Sequence, residues 1–234
     1  ADFNNRRALT HEALLCIKQA LSSQGPFSFN GEFHQYQNVT LGVKPLQQPH
    51  PPIWIHSRDA DTLAFLAREG VHTGYLFLLP RDEVAPRYRE YLRLWRDAGH
   101  SGKPNIGYWL LVYVDETDAK AVAKAKPHFE HCFTNVFGTR AEGGIGYQRL
   151  AENHEKRGNP RGAEIARHSI DVEYLREKNL AFVGSPKTVV EQIKQAASEG
   201  VFNTVMAEFN IGAIAEEDLM RSIKLFGSEV LPAL

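Results

Sequence analysis

Short apolar runs alternate with helical repeats along most of this chain, and three of the helical repeats stop at a glycine. The runs Ile53–Ser57, Gly74–Leu78, Asn105–Val114 and Phe202–Phe209 are rich in β-branched and aromatic residues, which predicts strands. Helical patterns follow them over residues 60–69, 82–98, 117–133 and 216–229, with a kink expected at Pro127. Gly70, Gly99 and Gly200 stand where C-caps are needed. Ser185 and Pro186 supply an N-cap and first position for a helix over 186–199, and a further helix is predicted over 164–178. Strand–helix alternation of this kind needs parallel strands joined by crossover helices, hence an α/β fold.

Three stretches depart from the alternation. Residues 26–43 hold an Asn30-Gly31 pair between aromatic, alternating runs, which predicts a hairpin. Pro45, Pro49, Pro51 and Pro52 make the approach to Ile53 extended and irregular. Residues 138–163 are rich in glycine and charge and read as a mobile excursion from one domain spanning 1–234.

With 27 basic and 28 acidic residues, net charge −1, the chain lacks the electrostatic footprint of a nucleic-acid or anionic-membrane binder. No apolar run reaches the roughly 18 residues a membrane-spanning helix requires. Cys16 and Cys132 are too few for a disulfide framework, so a cytoplasmic setting is expected. His128, His131 and Cys132 share a predicted helix but lack paired ligand spacing and a fourth ligand, so no metal site is expected.

Arg6–Leu21 is amphipathic through Leu9, Ala13, Leu14, Ile17 and Leu21, yet no strand precedes it. A missing N-terminal part is the expectation; processing of a precursor is the alternative. Four strands are too few to close a β/α barrel, which needs eight. They suit either a small open sheet or half of a barrel, and the orphan first helix favours the half.

Five stretches, in order, resemble the bacterial-luciferase-like monooxygenase family. They are the hairpin and Pro-rich approach over 25–55, Leu66–Gly70, Val112–Ala121, Phe182–Val189, and Ser222–Phe226 with Glu229–Pro232. The resemblance implies a (β/α)8 TIM-barrel fold, of which this chain would hold about the last four units, the C-terminal half. It implies reduced FMN and O2 as co-reactants, a small organic substrate that receives one oxygen atom, and a flavin reductase as the source of reduced FMN. An F420-dependent hydride-transfer oxidoreductase on the same barrel is the alternative enzyme. A non-catalytic flavin- or partner-binding barrel fragment is the alternative from another class. Open strand edges make a homo-oligomer expected.

Barrel sites lie at the carboxyl ends of the strands, where His56, Ser57, Arg58 and Asp59 follow the first predicted strand. A hydroxyl, a guanidinium and the amides of a helix start suit a phosphate. The resemblance points the same way, to Ser57 and then Arg58 as ligands of the flavin phosphate. Asp59 departs from that pattern, because a carboxylate beside a phosphate repels it. Plain capping of the following helix by Ser57 and Asp59 stays open. Phe77 at the end of the second strand, and Arg140 and Tyr147 in the Gly-rich excursion, are the substrate or lid candidates. The catalytic acid or base is not identifiable; the resemblance puts the residues nearest the flavin largely on strands this chain lacks.

Overall fold

The computed structural model describes residues 5–76, 81–136 and 146–234. The chain divides into two compact units, residues 1–73 with 89–104, and residues 74–88 with 105–234.

The first unit opens with α1, Arg6–Ser22, and a hairpin of β1, Phe27–Asn30, and β2, Gln35–Val39. The pairing is antiparallel, with Phe29 opposite Tyr36 and Asn30 opposite Gln35. Asn30 therefore ends a strand, and the turn is the four residues after it rather than an Asn-Gly pair. Glu12 of α1 organises that turn. Its carboxylate accepts the backbone N–H groups of Glu32 (2.6 Å), Phe33 (2.9 Å) and His34 (2.6 Å), and Oε1 lies 3.0 Å from His34 Nδ1. Gly31 is required there, since a Cβ would come within 2.3 Å of the Glu12 carboxyl carbon. Burial works to raise the Glu12 pKa, but the three amides and the imidazole outweigh it and lower the value. A lowered carboxylate pKa stabilises the fold above the unfolded value and loses that contribution as pH falls through the folded one. Glu12→Gln is accordingly expected to speed hydrogen exchange at Glu32–His34 at neutral pH. In the parent chain the same amides should open only at pH below the ordinary glutamate range. Unchanged exchange in the variant would contradict this role.

β3, Trp54–His56, is shorter than predicted and runs beside the start of β4, His72–Leu76. His72 N–H donates to Ile53 O at 2.9 Å and Thr73 Oγ1 to Ile55 O at 2.9 Å. The rings of Trp54, His72, Trp95 and His100 follow one another at 5.1, 5.7 and 4.7 Å between centroids, the middle pair stacked and the outer two tilted. Between the two strands lies α2, Ala60–Arg68, whose Leu63, Leu66 and Ala67 are buried. Gly70, at φ +68°, lets the chain turn back into β4.

The second unit is built on β5, Ile106–Val114. Alternation puts Tyr108, Leu110, Val112 and Val114 on one face, and Leu111 and Tyr113 on the other face are equally buried. Burial on both faces is the rule for parallel sheets. β5 pairs in parallel with β6, Ala181–Gly184, and with β7, Thr204–Glu208. Leu111 is opposite both Ala181 and Glu208, so the two strands flank it. β6 was not expected: its four residues read as the approach to the Ser185 cap. The described residues thus hold, besides the hairpin, five strands rather than four, and no closed barrel is present among them.

Helices α4, Asp118–His131, α8, Pro186–Ser198, and α9, Glu216–Leu225, cover this sheet. Asp118 ties α4 to α8 by accepting Ser185 N–H at 2.6 Å and Thr188 Oγ1 at 3.0 Å. α3, Arg81–Asp97, is divided between the two units. The stretch read as a mobile excursion contains α5, Gly146–Lys156, and the start of α6, Pro160–Arg167, joined by a small core of Ala151, Ala163 and Ala166. Gly162 permits that approach, because a Cβ there would meet His154 Nδ1 at 2.4 Å. The single helix predicted over 164–178 is two: Asp171 accepts the N–H groups of Glu173 and Tyr174 and starts α7, Val172–Glu177.

Candidate functional site

His56 ends β3, and Ser57 and Arg58 form the turn into α2. Ser57 Oγ accepts the Asp59 N–H at 3.1 Å. Asp59 caps α2, with Oδ2 accepting from Thr62 N–H at 2.9 Å and Thr62 Oγ1 at 2.7 Å. The sequence left capping and anion binding open for this cluster; capping is present. A helix leaves its first amides without an intrahelical acceptor, and Asp59 takes only that of Thr62. His100 holds the other end of α2, its Nε2 lying 3.0 Å from Ala67 O and 2.9 Å from Arg68 O. The turn is therefore mounted on an element fixed at both ends.

One residue of this site was missed in the sequence. Arg7 of α1 forks across two carboxylates of the turn, reaching Asp59 Oδ1 at 2.9 Å and Asp61 Oδ2 at 2.7 Å. The face of α1 that does this carries Arg7, His11, Leu14 and Lys18. His11 stacks on Phe65 at 3.8 Å, and Lys18 pairs with Glu69 at 2.7 Å. That largely polar stripe shares only the buried Leu14 with the predicted apolar one, and Leu9 and Ile17 are left 44% and 51% exposed. Burial works to raise the Asp59 pKa, but Thr62 and Arg7 outweigh it and hold the carboxyl low. His56 is exposed at the strand end, and the protein around it lowers its pKa, leaving the imidazole neutral near pH 7.

His56, Ser57, Arg58 and Asp59 are thus brought together, all in the first unit. Tyr147 lies in the first turn of α5 in the second unit, half-buried. Phe77 and Arg140 lie outside the described residues. Burial pushes the Cys132 thiol up to about 11, a poor nucleophile at neutral pH. Among the described residues no group of three or more His, Cys, Asp or Glu is placed to hold a metal ion. No helix among them is long and apolar enough to cross a membrane.

Curated relatives share sequence with this chain. The oxygenase component of a flavin-dependent trigonelline monooxygenase from Acinetobacter baylyi is 26% identical over 181 residues, 76% of this chain and 47% of that protein. An FMNH(2)-dependent dimethylsulfone monooxygenase from Pseudomonas putida is 24% identical over 238 residues, 98% of this chain and 59% of that protein. The chain thus spans about half to three fifths of the length of these relatives. Its fold is like that of the monooxygenase RslO1 from Streptomyces bottropensis, with TM-score 0.70 and 19% identity over 99% of this chain and 63% of that one. It is also like that of an F420-dependent tetrahydromethanopterin reductase from Methanopyrus kandleri, with TM-score 0.63 and 18% identity over 97% of this chain and 63% of that one. The model of the luciferase-like monooxygenase family matches residues 1–203, from α1 to the turn before β7; Ser222–Pro232, which reads as the family's last helix, lies outside that match. With most of its length matched, this chain belongs to the luciferase-like monooxygenase family.

Proposed function

We propose that this chain is part of a flavin-dependent monooxygenase in which the turn after β3 holds the phosphate of reduced FMN. The reading rests on one observation above all. Within the family match, Ser57 and Arg58 stand between the carboxyl end of a strand and the start of a helix. A hydroxyl, a planar guanidinium and the first amides of α2 are a donor set that fits a phosphate dianion. The objection from Asp59 is reduced by Arg7, whose single positive charge is shared between Asp59 and Asp61. β3, β4, β5 and β7 would be four consecutive strands of a β/α barrel, with β6 an addition beside β5; the parallel pairing of β5 with β7 and the fold likeness support this.

Bound FMN, once reduced, supplies the reaction with O2 and the transfer of one oxygen atom to a small organic substrate. The chain's part is to fix the cofactor's tail so that its reactive end has one position. A separate flavin reductase would deliver the reduced cofactor, in keeping with a relative named as an oxygenase component. The second reading is F420-dependent hydride transfer, favoured by the fold likeness to an F420-dependent reductase. Anaerobic fluorescence titration with reduced FMN and with reduced F420 separates the two. Saturable binding of FMN in preference to F420 is the expected result; the reverse preference would move the assignment to hydride transfer, and binding of neither would sink both.

Arg7 gives a further prediction. Arg7→Met should leave two uncompensated carboxylates beside the phosphate and weaken FMN about five- to tenfold, roughly 1 kcal/mol of screened electrostatics. Adding Asp61→Asn should restore part of the loss, and riboflavin, which has no phosphate, should bind the parent and both variants alike. Equal losses for FMN and riboflavin would show a structural role only.

A further inference from the structure

The second unit contains a cavity of about 740 Å³ between the first turn of α3, the helices α6 and α7, and the end of α8. That volume is in the range of small-molecule sites. Ile165 and Leu180, 4% and 3% exposed, give it an apolar lining.

Its charges are unevenly matched. Arg81 donates to both carboxylate oxygens of Glu199, at 2.8 and 2.6 Å. Arg161 pairs with Asp82 at 2.7 Å and Glu83 at 3.5 Å, and Lys178 with Glu177 at 3.3 Å. Glu164, also lining the cavity, has only the Tyr174 hydroxyl, which donates to it at 3.3 Å; among the described residues no cationic nitrogen pairs with it. Three cations of the lining, Arg81, Arg161 and Lys178, thus stand with three carboxylates, Asp82, Glu164 and Glu199, but Lys178 pairs with Glu177 outside the lining and Glu164 is the lining carboxylate with no cationic partner among the described residues. Glu164 is therefore the point of the cavity that favours a cation.

Tyr174 adds an aromatic platform. His168 stacks on its ring at 4.4 Å and 19°. The ammonium of Lys178 stands over the ring at 5.9 Å. A positive charge near an aromatic face is attracted by the ring quadrupole. Lys178 is exposed and its partner Glu177 is 74% exposed, so this contact is held weakly and exchanges readily.

We propose that this cavity binds a small organic cation, a protonated or quaternary amine with a compact apolar body. Its charge would meet Glu164 and the Tyr174 ring in competition with the Lys178 ammonium, and its body would rest on Ile165 and Leu180. A bare metal ion gains nothing from the apolar lining and the ring. The proposal does not depend on the flavin reading.

Isothermal titration of the whole chain with choline and with its neutral isostere 3,3-dimethylbutan-1-ol tests it. Choline should bind saturably, about tenfold or more tighter than the alcohol, the size of one good cation–π and ion-pair contact. Glu164→Gln and Tyr174→Leu should each weaken choline about fivefold or more. Lys178→Met, at an exposed position, should tighten it by removing the competing ammonium. Absence of saturable choline binding up to about 20 mM, well beyond the millimolar range of about −4 kcal/mol, would overturn the proposal. So would equal affinity for the two probes, or choline binding that Glu164→Gln and Lys178→Met leave unchanged. If Tyr174→Leu fails to fold, Lys178→Met decides alone: tighter binding supports the site, and unchanged or weaker binding refutes it.

Discussion

Ser57→Ala is expected to weaken FMN about tenfold and Ser57→Ala with Arg58→Met about a hundredfold, because each hydrogen bond to a charged group contributes about 1.5–3 kcal/mol. Riboflavin should bind the parent and both variants with the same affinity, since it lacks the phosphate those residues would meet. The ratio of the two affinities is the informative quantity. A variant that merely disturbed the start of α2 would weaken both ligands. The cap itself should survive, because Asp59 still accepts from Thr62 N–H and Oγ1 when the Ser57 hydroxyl is removed. Parallel losses for FMN and riboflavin, or no loss for either, would remove the phosphate from this turn.

The second large effect concerns stability. Arg81 is 8% exposed and meets four acceptor atoms: both Glu199 oxygens, Asn179 O at 2.8 Å and Tyr108 Oη at 3.3 Å. Tyr108 is buried, burial pushes its pKa up to about 12, and its neutral hydroxyl also donates to Asn179 O at 2.9 Å. Glu199 is 38% exposed. The asymmetry decides which substitution costs more. Glu199→Gln leaves a guanidinium buried without its counter-charge and should cost about 2–3 kcal/mol, the lower end for broken buried pairs because water reaches the glutamate. Arg81→Met leaves behind a half-exposed carboxylate and a carbonyl that Tyr108 still satisfies, so it should cost less. The double variant should recover part of the Glu199→Gln loss. Urea denaturation of the second unit's signal measures all three, and a larger loss for Arg81→Met than for Glu199→Gln would contradict the account.

What the sequence reveals of this fold follows from how local each cause is. Helix ends were legible because their determinants are adjacent: Ser185 accepts from Thr188 three residues on, and Gly70 takes the positive φ that stops α2. β6 was not, since Ala181–Gly184 is a strand only by virtue of β5, whose Leu111–Val114 lies far back in the chain. The break between α6 and α7 came from Asp171, a cap that a reading of helical periodicity passes over. The polar turn His56–Asp59 could be found because it separates a β-branched run from a helical repeat. Its partner Arg7 could not, being 52 residues from Asp59 and set by the docking of α1 on α2. The apolar stripe of α1 misled for the same reason: Arg7, His11 and Lys18 make the contact through ion pairs and ring stacking, which hydrophobic periodicity does not register.

The central claim, that the turn after β3 holds a flavin phosphate, is tested most directly by amide chemical shifts of the isotopically labelled chain on addition of FMN and, separately, of riboflavin. FMN should move the amide resonances of Ser57, Arg58, Ala60 and Asp61, and riboflavin at the same saturation should leave them in place. FMN that binds while these four amides stay fixed, or riboflavin that moves them equally, would contradict it.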